Sequence, residues 1–201
     1  MGHREDLLEG AKRCLLEKGW VRTTARDIVA ASGANLASIG YHYGSKEALM
    51  TTAFFQLVEE WGDGATRRLA AERDREAGRE RQLAQVMDAM FGEFERDRQF
   101  WLVQMEVIGQ LDRNPDLKKR FAEVLPSGRE GMLAIFEGVD DVDVPAEATR
   151  TAGAFVHALF IGMWVQWLMN PEAVPTGREL VEGMRRVLTG AALSGEPLPD
   201  A

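Results

Sequence analysis

Between Gly33 and Gly44 the chain reads GANLASIGYHYG, and it continues SKEALM. Asn35, Ser38, Tyr41, His42 and Lys46 bring an amide, a hydroxyl, a phenol, an imidazole and an ammonium group into this one short stretch. These groups hydrogen-bond to oxygen-rich partners. They contain no nucleophile paired with a base and no metal-ligand spacing, so the chemistry on offer is recognition rather than turnover. A core helix would not hold so many polar rings, and a plain surface helix would not need them.

The flanking elements give the stretch a setting. Leu7, Leu8, Ala11, Cys14 and Leu15 fall on one helical stripe, which predicts a first helix over about 4–18, closed by Gly19. Cys14 is in phase with that stripe and reads as a core residue. Thr24-Ala25-Arg26-Asp27 is a capping box, in which hydroxyl and carboxylate each satisfy a free backbone N–H. It opens a short second helix that Ser32-Gly33 ends. Asn35 caps a third helix reaching Tyr43, Gly44 breaks it, and Ser45 caps a fourth that runs through Leu49, Phe54, Leu57, Val58 and Trp61.

Two short helices joined by a tight glycine turn form a helix-turn-helix, whose second helix enters the DNA major groove. On that reading Asn35, Leu36, Ala37 and Ser38 face base edges, the apolar pair suiting thymine methyls. Ile28, Val29 and Ile39 fill the small core beneath. Tyr41 and His42 reach phosphate and sugar. Lys46 lies in the first turn of the fourth helix, where free N–H groups already attract a phosphate, and Thr23 and Thr24 stand in the same relation to the second helix.

TTARDIVAASGANLASIGYHYGSKEALM, with one amphipathic helix before it and about 150 residues of helices behind, resembles the DNA-binding segment of the TetR family of bacterial transcriptional regulators. The likeness is specific over about residues 4–50; beyond them it rests on the number and length of helices. The family often has a tyrosine directly after the apolar residue that Ile39 matches. This chain has Gly40 there, and Tyr41 sits one place later, on a face turned by about 100°.

The 201 residues carry a net charge of −8, which by itself disfavours nucleic acid. The charge is unevenly spread: residues 1–50 hold seven Lys/Arg against six Asp/Glu, and the remainder 17 against 26. Acidity therefore belongs to the second part. With 45% hydrophobic residues and a single cysteine, the chain can build a packed core and has no internal disulfide framework, as in a reducing cytoplasm. The N-terminus lacks the apolar run of a signal peptide. Ala152–Met169 is the one membrane-like stretch, and His157, Gln166 and Gly162 within it favour a buried helix over a span.

Further helices are expected near 81–97, 98–112, 116–137 with an interruption around Pro126, 146–169 and 178–193, making about nine in all. The residues predict an all-α chain: a helix-turn-helix domain over 1–50, a larger helical domain over 51–194, and a disordered tail over 195–201. The helix at 146–169 is apolar on two sides, so one side can serve its own domain and the other a partner. Leu180, Val181, Met184, Val187, Leu188 and Ala191 give the last helix a matching stripe. A homodimer through these two helices also suits DNA, because one short helix specifies few base pairs and two-fold symmetry reads a palindrome. The resemblance adds a four-helix bundle between two subunits and release of DNA when a small molecule binds the large domain.

Phe100, Trp101, Gln104, Met105, Phe121, Met132, Phe136, Phe155, His157 and Trp164 supply the apolar walls and few polar groups that a ligand cavity requires. Of these residues, Trp101, Gln104, Met105, Phe121, Phe155, His157 and Trp164 are the expected ligand contacts. His3, His42 and His157 are far apart in sequence with no metal spacing, and no nucleophile elbow, P-loop or dinucleotide fingerprint occurs. The sequence thus predicts a cytoplasmic, non-enzymatic DNA-binding repressor with a small apolar effector, with no catalytic residue, cofactor or metal. The competing reading is a helical small-molecule carrier or enzyme whose helix-turn-helix is only structural.

Overall fold

Helix caps in the sequence account for most of the boundaries seen in the structure. The computed structural model describes residues 3–72, 74, 76–139, 143–190 and 192, and the tail expected at 195–201 lies outside them. Among the described residues there is no strand. The helices are α1 (His3–Lys18), α2 (Ala25–Ser32), α3 (Leu36–Tyr43), α4 (Lys46–Glu72), α5 (Arg79–Arg96), α6 (Arg98–Ile108), α7 (Pro115–Glu137), α8 (Ala146–Met169) and α9 (Gly177–Thr189). One 3₁₀ turn, Pro171–Ala173, precedes α9.

Several boundaries differ from expectation. Helix α6 stops at Ile108 rather than near 112, because a run of turns follows and Asn114 Oδ1 accepts the Leu117 N–H to start α7. Helix α7 is continuous through Pro126, where an interruption was expected. Pro126 is exposed, and packing on either side by Leu117, Leu133 and Phe136, all buried, offsets the hydrogen bond that proline cannot make. Helix α9 ends at Thr189, closed by Gly190 at φ 73°, rather than at 193. Helix α8 contains a π-helical turn, Thr149–Gly153, that no periodicity announced.

The chain forms two compact units. The first comprises residues 1–65 and 97–127, and the second 66–96 and 128–201. The helix-turn-helix segment lies wholly in the first unit. There Leu7, Ala11 and Leu15 of α1, Ile28 of α2, and Leu49 and Phe54 of α4 are all fully buried. Lys12, almost buried on α1, pairs with Glu9 and with Glu60 on α4. Gly10 lets α1 close on α2: a Cβ there would lie 2.9 Å from that of Ser32. Trp61, Phe100 and Trp101 form an aromatic cluster with ring centroids 4.7–5.8 Å apart.

In the second unit, Phe94 of α5 meets Phe160 and Trp167 of α8 at centroid distances of 5.5 and 5.8 Å. The buried Glu93 carboxylate is neutralised by Arg68 and Arg96. Gly177, at the start of α9, lies hard against the Ala84 carbonyl and donates its N–H to Asp88 Oδ1 at 2.6 Å, so α9 docks on α5 where no side chain would fit. Helix α8 is long and apolar enough to cross a membrane by length and composition. Its Val156, Phe160, Met163, Trp164 and Trp167 are buried in this unit, while Phe155, Ile161 and Met169 are exposed.

Candidate nucleic-acid interface

Helix α2 begins with the capping box that the sequence predicts. Thr24 Oγ1 accepts the Asp27 N–H at 3.2 Å, and Asp27 Oδ2 accepts the Thr24 N–H at 2.8 Å. Lys18 also bonds to Asp27, and that bond together with those from Thr24 holds the Asp27 carboxyl far below the usual carboxylate range. Gly33 ends α2 in the left-handed region, φ 71°, where a glycine carries no steric penalty. Three residues later α3 opens, its N-cap Asn35 accepting the Ser38 N–H at 3.0 Å through Oδ1. Gly44, φ 79°, ends α3, and Ser45 Oγ accepts the Ala48 N–H at 3.0 Å to open α4. Ile28 and Ile39, both buried, lock the pair from beneath.

This scaffold sorts the expected contact residues by exposure. Leu36, Ala37, Gly40 and Tyr41, one helical face by their spacing, are all exposed, Tyr41 at 86%. A Cβ on Gly40 would meet nothing within 4 Å, so the middle of this face is bare backbone. Asn35 is exposed at the helix start with its amide nitrogen outside the cap. Ser38 is buried at 9% and leaves little of its hydroxyl to that face. His42 is half-buried, its ring edge-on to Tyr41 at 4.8 Å.

Thr23 and Thr24 are not equivalent. Thr24 is exposed at the α2 N-terminus. Thr23 is 1% exposed, and its hydroxyl donates toward the carbonyls of Gly19 (2.7 Å) and Cys14 (3.1 Å). The Thr23 hydroxyl therefore fastens the α1–α2 turn, a correction to its expected place beside Thr24. Lys46 bridges the two helix starts: its ammonium donates to the Thr23 carbonyl at 3.2 Å and lies 3.5 Å from Glu47. A half-buried cation thus stands at the N-terminus of α4 and against the residue that precedes the α2 cap.

Sequence reasoning passed over Arg22 and Arg26, both exposed on either side of Thr24. Their closeness to the capping box was the available signal. Tyr43, the third ring of the Tyr41-His42-Tyr43 run, has a structural task. Its hydroxyl donates to the Arg4 carbonyl at 2.8 Å, and the Arg4 guanidinium lies over its ring, tying α3 to α1.

The expected ligand residues divide between the units. Trp101 is buried in the first, edge-on to Trp61, with Gln104 half-buried and Met105 exposed on the same helix. Phe121 packs on Phe54 and Phe55 in that unit. In the second unit Trp164 is buried, His157 half-buried, and Phe155 lies on the exposed apolar face of α8. Among the described residues no cluster of His, Cys, Asp and Glu could hold a metal.

Known proteins match along both parts of the chain. A family model described as "Bacterial regulatory proteins, tetR family" matches residues 7–53, and one described as "BetI-type transcriptional repressor, C-terminal" matches residues 79–190. The HTH-type transcriptional repressor AcnR of Corynebacterium glutamicum is 30% identical over 194 residues, 91% of this chain and 92% of that protein. The HTH-type transcriptional repressor Rv1474c of Mycobacterium tuberculosis is 33% identical over 121 residues, 60% of this chain and 57% of that protein. AcnR of Corynebacterium efficiens is 31% identical, and its match takes in 56% of that protein. Among solved structures, the multidrug binding protein EbrR complexed with proflavin has the same fold: TM-score 0.63, 23% identity, 94% of this chain and 99% of that one. Two family models that between them take in most of the chain, and a 30% identical relative matched almost end to end, make this chain a member of the tetR family of bacterial regulatory proteins.

Proposed function

We propose that this DNA-binding transcriptional regulator is a ligand-responsive repressor that holds a palindromic operator as a homodimer. The observation that carries the reading is the exposed face of α3, Leu36, Ala37, Gly40 and Tyr41, flanked by two capped helix N-termini and the Lys46 cation. Apolar groups and the Asn35 amide meet base edges, while Thr24, Tyr41, His42, Lys46 and the neighbouring Arg22 and Arg26 meet phosphates. Phosphate contacts set register and base contacts set preference. Residues 1–50 act as the DNA-binding domain, and 51–194 carry effector binding and dimerisation.

The exposed apolar side chains of α8 and α9 support the homodimer. Val187 and Leu188, near the C-terminal end of α9, are 70% and 78% exposed, and Phe155, Ile161 and Met169 are exposed on α8. Two copies of α3 related by a two-fold axis would read half-sites about 34 Å apart. The small-molecule effector rests on family membership, and it must prefer the conformation that does not bind DNA. Such a protein works in the cytoplasm and catalyses no reaction.

Salt dependence of binding to duplex DNA tests the reading. Six phosphate contacts predict a loss of ~10³-fold or more in affinity between 50 and 200 mM salt. An affinity indifferent to salt would remove the DNA interface and return the chain to the small-molecule carrier reading.

A further inference from the structure

The half-buried arginines of the second unit have carboxylate partners, with one exception. Arg68 pairs with Glu93, Arg185 with Glu80 and Glu182, and Arg186 with Glu182. Arg129, on α7, is half-buried like them, and among the described residues no carboxylate pairs with it. Its Nε is closed off from solvent and has no hydrogen-bond acceptor among the described residues. Arginine does not shed its proton, so it cannot relieve this by becoming neutral. In a chain with an excess of acidic residues, this half-buried cation pairs with no carboxylate among the described residues.

Helix α8 crosses α7 at this point, and Gly153 makes the approach possible. A Cβ on Gly153 would lie 3.0 Å from the Arg129 carbonyl oxygen, and one on Gly128 would lie 3.6 Å from His157 Nε2. Gly153 and His157, four residues apart, share the face of α8 turned to α7. The π-helical turn of α8 ends at Gly153, and such turns recur where a helix is adjusted around a functional group. Burial, and secondarily the Arg129 charge, lower the His157 pKa. Near neutral pH the imidazole is uncharged and can donate one N–H while Arg129 supplies the charge.

We propose that Arg129 and His157, at the crossing of α7 and α8, form an anion-binding site that takes a carboxylate or phosphate group on a small molecule. A planar guanidinium with a free Nε–H suits either group, since both present two oxygens to the fork. The role of that anion as the effector rests on the ligand-responsive reading above; the site itself stands on the contacts described here. The small apolar effector would then carry one anionic end.

The test follows the Arg129 Nε–H resonance of the full-length protein by nuclear magnetic resonance. Benzoate and inorganic phosphate are titrated separately, at constant ionic strength against chloride. The expected result is a saturable shift with one of them, weakened about tenfold or more in His157→Gln and, read from the Gly153 backbone amide because the Arg129 resonance is lost, in Arg129→Gln. Saturation by benzoate identifies a carboxylate ligand, and saturation by phosphate a phosphate ester. No saturable shift with either anion, or variants that bind as the wild type does, would overturn the site. If Arg129→Gln fails to fold, His157→Gln still decides. Duplex DNA binding is measured on the same samples. An anion that fills the site without altering DNA affinity would overturn its effector role. Absence of DNA binding under all conditions would sink the regulator reading, while the resonance shift still decides the site.

Discussion

Lys46 is held where two helix N-termini leave unsatisfied N–H groups, its ammonium on the Thr23 carbonyl. On the proposed reading, that placement makes it a phosphate contact with no part in reading sequence. Lys46→Ala is expected to weaken binding to every duplex alike and to lower the salt slope by about one. A salt titration on two unrelated duplexes checks this, and a change confined to one of them would contradict it. Asn35 is a cap and, on the proposed reading, also a base contact. Asn35→Ala should cost about 1 kcal/mol of stability, whereas Asn35→Ser keeps the cap and should relax preference at a single base position. Thermal unfolding and binding to a set of singly substituted duplexes separate the two effects. Thr23 and Thr24 mark the limit of reading residues in sequence order. They are chemically identical neighbours, and only the closure of the α1–α2 turn over Thr23 decides which hydroxyl faces solvent.

At the level of elements, local chemistry was legible and tertiary compromise was not. The caps at Thr24, Asn35 and Ser45 and the stops at Gly19, Gly33 and Gly44 involve residues within a few positions of one another, and the structure has each of them. Pro126 reads as a break because the rule for proline is local, yet α7 continues on contacts made by residues distant in sequence. The π-helical turn of α8 has no sequence signature at all. Thr24→Ala removes a hydrogen bond from the α2 cap and should destabilise the first unit by about 1 kcal/mol, measured as a shift in urea midpoint. The capping box also predicts acid sensitivity. Asp27 has a folded pKa lowered by Lys18 and Thr24 below its unfolded value, so its contribution is complete above about pH 4 and is lost as pH falls through the lower folded value. Stability measured from pH 5 downward should therefore decline less steeply in Asp27→Asn than in the wild type. Equal slopes would remove Asp27 from the cause.

At the scale of the molecule, the all-α class and the position of the helix-turn-helix followed from helical periodicity, helix caps and glycine spacing. The grouping of α6 and the first part of α7 with the helix-turn-helix did not, because it depends on contacts across about a hundred residues of chain. The seven expected ligand residues rest on residue type, and type cannot tell Trp101, inside an aromatic cluster, from Phe155, exposed on α8. Exposure does single out the apolar side chains of α8 and α9. Leu188→Glu should disrupt association by about 2 kcal/mol or more, which sedimentation velocity would record as a shift from dimer to monomer. DNA affinity should fall with it, since half an operator offers too few contacts.

On the proposed reading, α3, presented twice, reads a symmetric site. Selection of bound duplexes from a random pool, with purified protein at low salt and repeated after unfolding and refolding to strip any ligand, tests it most directly. Enrichment of a two-fold-symmetric sequence with half-sites about one helical turn apart is the expected result. A pool that remains random with both preparations would contradict it.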